Sequence, residues 1–160
     1  MKKLLISLVL AGILLTGCGS RTDLHKVSLD ELTFSLPQTF ADLSRDSAAD
    51  TDQAFMYVQD RLYINGFRES KQELTQYFED MCLEDYVRTF TQYNQPESQA
   101  VQTDDIWNIS YTAVIDGEDY SFICVFYETN QGFWRVQACC PSEQFEENRQ
   151  ILWNYIASAD

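Results

Sequence analysis

The chain of 160 residues has one histidine, His25. It lies near the start, ahead of the segments with strand or helix periodicity, so histidine triads, histidine metal sites and most general-base schemes are unavailable to the rest of the sequence. No GxSxG, GxxxxGK[ST] or GxGxxG motif occurs, and few glycines remain with which to build a phosphate cradle. Asp50-Thr51-Asp52 opens like a calcium loop. It lacks the glycine needed at the sixth position, and Arg61 stands where a bidentate glutamate is required. Asp116, Glu118 and Asp119 crowd a turn and read as a solvated hairpin tip rather than a cation site. Glu79/Asp80 and Glu84/Asp85 read as the solvent face of a helix. Acid pairs for glycoside cleavage need a cleft and a set separation, which leaves a hydrolase using acidic residues as the least favoured class.

The remaining candidate chemistry is recognition, and a predicted meander positions it. Ile106 to Ile115, Tyr120 to Glu128 and Phe133 to Cys140 have strand composition and are joined by turns at Asp116-Gly117 and Asn130-Gln131-Gly132. A three-residue loop with Gly132 left-handed sets Thr129 opposite Phe133. Trp107, Ile109, Tyr111, Phe122, Cys124, Phe126, Trp134, Val136, Ala138 and Cys140 then share one apolar face. A two-residue loop would instead set Arg135 and Gln137 among those aromatics, so binary patterning favours the longer loop. On the preferred register Asn108, Ser110, Thr112, Tyr127, Arg135 and Gln137 lie on the second face, over an apolar floor of Ile123 and Val125. This is the predicted ligand-binding surface, with Arg135 as the cation for a carboxylate. The alternative is a sheet face partly exposed to water, or partly covered by a helix, with Arg135 paired to one of the many acids.

Elsewhere, Leu32, Phe34 and Leu36 alternate as a strand that Pro37 ends. Residues 41 to 54 read as a surface loop, and Phe55 to Phe67 as one or two strands with a bend at Gly66. Ser70-Lys71-Gln72-Glu73 has capping-box form. Leu74, Tyr77, Phe78, Met81 and Cys82 follow at helical spacing, and a second stripe of Leu83, Tyr86, Val87 and Phe90 is out of phase with the first. The region is one drifting helix or two joined near residue 83. Asn94 to Asp105 reads as a loop. Ser142 is placed to cap a last helix with Phe145, Leu152, Tyr155 and Ile156 on one side.

The N-terminus predicts location. Lys2 and Lys3 precede an apolar run from Leu4 to Leu15, the form of a secretory signal and shorter than the roughly 20 residues of a spanning helix. Leu15-Thr16-Gly17-Cys18 resembles the lipobox of bacterial lipoproteins. The resemblance implies cleavage before Cys18, lipid on its sulfur, and anchorage to the extracytoplasmic face of the cell membrane. Residues 1–17 are then signal peptide, 18–26 the lipidated cysteine and a polar tether, and 27–160 a single domain. With Lys2 and Lys3 removed, the net charge falls from −14 to −16. Such a surface repels nucleic acid and anionic head groups, leaving the bilayer through acylated Cys18, an envelope protein or a small ligand as partners. No cofactor is implied. Cys82, Cys124, Cys139 and Cys140 remain. Export permits disulfides among them, although Cys139 and Cys140 cannot readily bond to each other across one trans peptide. At least two of the four read as small buried hydrophobes.

Strands, helix, antiparallel meander and helix make an α+β fold, a mainly antiparallel sheet packed with helices. From Phe34-Ser35-Leu36-Pro37 through the meander to a closing helix ending near Ser158, the chain resembles the PsbP-like fold of photosystem extrinsic subunits and many bacterial lipoproteins. That resemblance implies a layered sandwich and brings no common active site. An NTF2-like or cystatin-like sheet is the competing architecture. The expected function is a membrane-anchored, extracytoplasmic, non-catalytic binding or interaction module, with a small-ligand-binding accessory lipoprotein of a transporter as the alternative.

Overall fold

In the computed structural model, residues 24–30, 32–44, 53–74, 76–77, 80–95 and 97–159 are described. The signal segment, the lipobox with Cys18 and the Asp50-Thr51-Asp52 sequence lie outside them. Among the described residues the strands are β1 (Leu24–Leu29), β2 (Leu32–Pro37), β3 (Ala41–Asp42), β4 (Gln53–Gln59), β5 (Leu62–Ser70), β6 (Val101–Thr103), β7 (Ile106–Ile115), β8 (Glu118–Glu128) and β9 (Gly132–Pro141). Helices are α1 (Lys71–Leu74), α2 (Leu83–Asn94) and α3 (Phe145–Ile156). β1 and β2 make a separate hairpin. The other seven strands form one antiparallel sheet in the order β3-β4-β5-β9-β8-β7-β6.

Aspartates make the corners. Asp30, Asp60, Asp104, Asp105 and Asp116 have positive φ at the tips of successive hairpins. A short polar side chain that bonds its own backbone tolerates this region far better than most residues. Asp116 and Gly117, both left-handed, satisfy the two-residue turn that joins β7 to β8. The predicted register there holds, with Ile109 opposite Cys124.

The β8–β9 register does not. Glu128, not Thr129, stands opposite Phe133, and Phe126 faces Arg135. The connection is the shorter, two-residue one that patterning disfavoured: Gly132 is not left-handed but begins β9 opposite Thr129, whose N–H and Oγ1 both donate to the Gly132 carbonyl, at 2.9 and 3.0 Å, so that only Asn130 and Gln131 make the turn. The slip turns every β9 side chain to the other face. Arg135 and Gln137 therefore join Trp107, Ile109, Tyr111, Cys124 and Phe126, while Trp134, Val136, Ala138 and Cys140 join Asn108, Ser110, Ile123 and Val125.

Each face has its own helix. On the first, α2 lays Tyr86, Val87 and Phe90 onto the sheet: Tyr86 stacks on Phe133 (4.7 Å between ring centres, 10° between planes) and Phe90 meets Phe126 edge-on at 5.4 Å. On the second, α3 and the β1–β2 hairpin cover Ile64, Val125 and Val136 with Leu152, Ile156, Phe34 and Leu36, all buried. The Asp30 carboxylate fastens the hairpin to the sheet, accepting from the Trp134 indole at 3.1 Å and pairing with Arg68 at 2.8 Å.

Several local expectations change. Leu24 to Lys26, expected in the tether, pair with Pro37, Leu36 and Ser35 in β1, so His25 sits in a strand. Ala41–Asp42 and Gln53–Ala54, expected in a loop, are in strands. Gly66 is no bend. It lies within β5 opposite Phe55, whose ring occupies the space a Cβ would fill. The first helical stripe fails after one turn: Asp80 is left-handed, Tyr77 is 78% exposed, and α2 starts at Leu83. Within the predicted loop 94–105, β6 pairs with β7. Ser142 does not cap α3; it opens a 3-10 turn and its hydroxyl meets that of Ser121 at 2.8 Å. No described helix is long and apolar enough to cross a membrane.

Candidate functional site

Between the second face of the meander and α3 lies an open cleft of about 450 Å³. Asn108, Ser110 and Ile123 supply its sheet wall, and Glu146, Arg149 and Trp153 its helical wall. The helical set recurs at i, i+3 and i+7, so one side of α3 presents it while the adjoining stripe of Leu152 and Ile156 is buried. Asp104, from the β6–β7 turn, closes one end.

Two of the six predicted site residues line this cleft. Asn108 is buried, and its amide Nδ2 lies 3.2 Å from the Val101 carbonyl, 3.2 Å from Thr103 Oγ1 and 3.1 Å from the Ile106 carbonyl. Its first duty is to hold β6 against β7. Ser110 is exposed on the sheet wall. Thr112 shares the face without lining the cleft. Tyr127 also shares it, but its hydroxyl donates to the Ile156 carbonyl at 2.5 Å and its ring packs into the core, so burial pushes its phenol up to about 12.

Arg135 and Gln137 are on the opposite face, which separates them from the other four. The Arg135 guanidinium lies between the rings of Phe67 and Phe90, 4.3 and 4.5 Å from their centres. Among the described residues it has no ion-pair partner. Gln137 Oε1 accepts from the Tyr111 hydroxyl at 3.1 Å. Around them burial raises the Tyr86 phenol, reinforced by Glu69, to which Tyr86 donates at 2.8 Å.

Arg149 thus stands in the cleft where Arg135 was expected, and Trp153 supplies an aromatic wall. Neither follows from the core stripe of α3; the mixed stripe Glu146, Arg149, Gln150, Trp153 beside it is the signal in the sequence that points to them. One cation and two carboxylates give the cleft a slight negative charge. Amide, hydroxyl and indole groups suit a polar ligand with donors of its own. Among the described residues no cluster of three or more metal-ligating side chains forms. Cys82, Cys124, Cys139 and Cys140 are all unpaired thiols, three of them buried.

No protein-family model matches the chain, and no curated protein is similar to it. Among solved structures, the cyanobacterial PsbP of Synechocystis sp. PCC 6803 superposes with a TM-score of 0.53 at 9% identity, covering 91% of this chain and 98% of that one. A protein from Bacteroides thetaiotaomicron VPI-5482 is similar at 0.49 and 11% identity, over 81% of this chain and 44% of that one. A Pseudomonas aeruginosa protein of unknown function is similar at 0.41 and 12% identity, over 80% and 90% of the two chains. The fold is α+β and PsbP-like, as the element order predicted; at this identity the likeness is one of fold alone.

Proposed function

We propose that this chain is a lipid-anchored, extracytoplasmic binding or interaction module of the cell envelope, without catalysis of its own. The observation that carries the anchor is Leu15-Thr16-Gly17-Cys18 at the end of a short apolar run. With β1 beginning at Leu24, the chain from Cys18 to the domain reaches at most about 21 Å, which keeps the domain against the membrane. Binding is supported by the polar cleft under α3. A non-catalytic role is supported by the chemistry around Ser110: the chain's single histidine sits in β1, leaving no imidazole in the cleft lining to activate that hydroxyl.

The test is metabolic labelling with an alkynyl palmitate in a bacterial host. The full chain is expected to take up label and sediment with membranes, and Cys18→Ala to lose both. An unlabelled wild-type chain in the soluble fraction sinks the proposal. A small-ligand accessory role is favoured by the cleft itself. It predicts a thermal shift with a sugar or amino acid that Arg149→Ala removes.

A further inference from the structure

We propose that the open edge of β7, Ser110 to Ile115, takes an extended basic peptide as an added strand; the inference rests on the binding-module reading and names the partner's chemistry. β6 covers β7 only from Ile106 to Asn108. Among the described residues, no strand and no further backbone hydrogen bond reaches the outer side of residues 110–115. Alternate residues of such an edge turn N–H and C=O groups outward, a template for another chain. Protected edges carry lysine, proline or a bulge. Residues 110–115 contain neither residue type, and the β7–β8 register runs without a shift. Val114 is 68% exposed. The opposite edge of the sheet is treated differently. There Leu43 N–H donates to the Met56 carbonyl at 2.8 Å and Ser44 Oγ accepts from Met56 N–H at 3.1 Å, covering β4 beyond β3.

Charge selects the occupant. Asp104 and Asp105 precede β7, Asp116 follows it and Asp119 lies across the turn; all are exposed, and none is in an ion pair among the described residues. A second copy paired antiparallel about Thr112 would bring the Asp104-Asp105 turn of each molecule against Asp116 and Asp119 of the other, like charges at both ends. A strand bearing lysines meets opposite charge at both.

The probe is a fluorescein-labelled nonapeptide alternating lysine and valine, titrated by anisotropy into the full chain in detergent. Two further versions carry N-methyl groups on odd or on even residues. Strand addition leaves one frame near the parent affinity and weakens the other by about tenfold or more, since only alternate amides face the edge. Thr112→Lys weakens the parent peptide by about tenfold through repulsion, and a glutamate–valine peptide does not bind. Equal binding in both frames, binding of the acidic peptide, or self-association of the chain that Thr112→Lys disperses overturns the proposal. Absence of peptide binding while Cys18 takes up palmitate removes strand addition and leaves the anchored module standing; absence of label removes the anchored module whatever the peptide does.

Discussion

Arg135 lies directly across the β5–β9 ladder from Phe67, and its guanidinium carbon is 4.3 Å from the centre of that ring. With Phe90 of α2 on its other side, the cation fills a slot between sheet and helix. It contributes area and cation–π attraction where a counter-ion is absent among the described residues.

Arg135→Ala is expected to destabilise the fold by about 2–4 kcal/mol, from two partly desolvated cation–π contacts and the cavity left behind. Arg135→Met, which keeps the volume and removes a charge without an ion partner, should lie within about 1 kcal/mol of wild type. Urea unfolding of both variants measures the difference. An alanine variant as stable as the methionine one would show that the slot is empty of consequence.

Gly66→Ala is expected to destabilise by about 1–3 kcal/mol, because the new methyl group meets the Phe55 ring across the β4–β5 ladder. Combining it with Phe55→Leu should recover part of the loss, a coupling that a double-mutant cycle reads directly. Strict additivity would mean that ring and glycine do not meet.

How much of this was legible beforehand depended on which physical rule dominated each segment. Asp116-Gly117 named its turn, and the β7–β8 register followed. At the next hairpin binary patterning rejected the true register, since Arg135 and Gln137 counted as polar intrusions. A rule that sorts side chains into polar and apolar cannot see that an arginine between two phenylalanines behaves as a flat, partly apolar filler. The stripe from Leu74 to Cys82 had helical spacing but no packing surface to enforce it, whereas Tyr86, Val87 and Phe90 had the sheet. Of the cleft, Asn108 and Ser110 were legible from strand alternation. Arg149 and Trp153 were not, because a helix stripe acquires meaning only once the neighbouring wall is known.

Asn108→Asp should be more damaging than Asn108→Ala. Alanine forfeits the amide's bonds to the carbonyls of Val101 and Ile106, about 1–2 kcal/mol. A carboxylate would additionally face those carbonyls with no proton to donate. Amide hydrogen exchange is expected to quicken in β6 in both variants while β8 stays protected. Unchanged exchange at Val101 to Thr103 would show that the side chain does not hold the strand.

Alkaline pH should weaken the fold. Burial, with Cys140 as a smaller contributor, pushes the Cys139 thiol up to about 12 from an ordinary value of 9.0. The folded chain therefore keeps a proton that the unfolded chain releases first. Stability from this group is whole below pH 9 and is lost as pH rises towards 12; the Tyr127 phenol, moved from 10.0 to about 12, acts in the same direction. The urea midpoint should be level from pH 7 to about 8.5 and fall beyond it. At pH 8 iodoacetamide should label Cys82, the exposed thiol of the folded domain, and spare Cys124, Cys139 and Cys140. A midpoint still level at about pH 10.5 would contradict this account.

The aspartates at the hairpin tips are there for their shape, and the charge comes with it. Asn shares the left-handed tolerance of Asp, whereas Glu does not. The surface could therefore drift toward neutrality by aspartate-to-asparagine exchange with each corner intact, while the exchange that preserves charge would deform the corner. Part of the acidity of this protein is thus a by-product of how tightly its strands reverse.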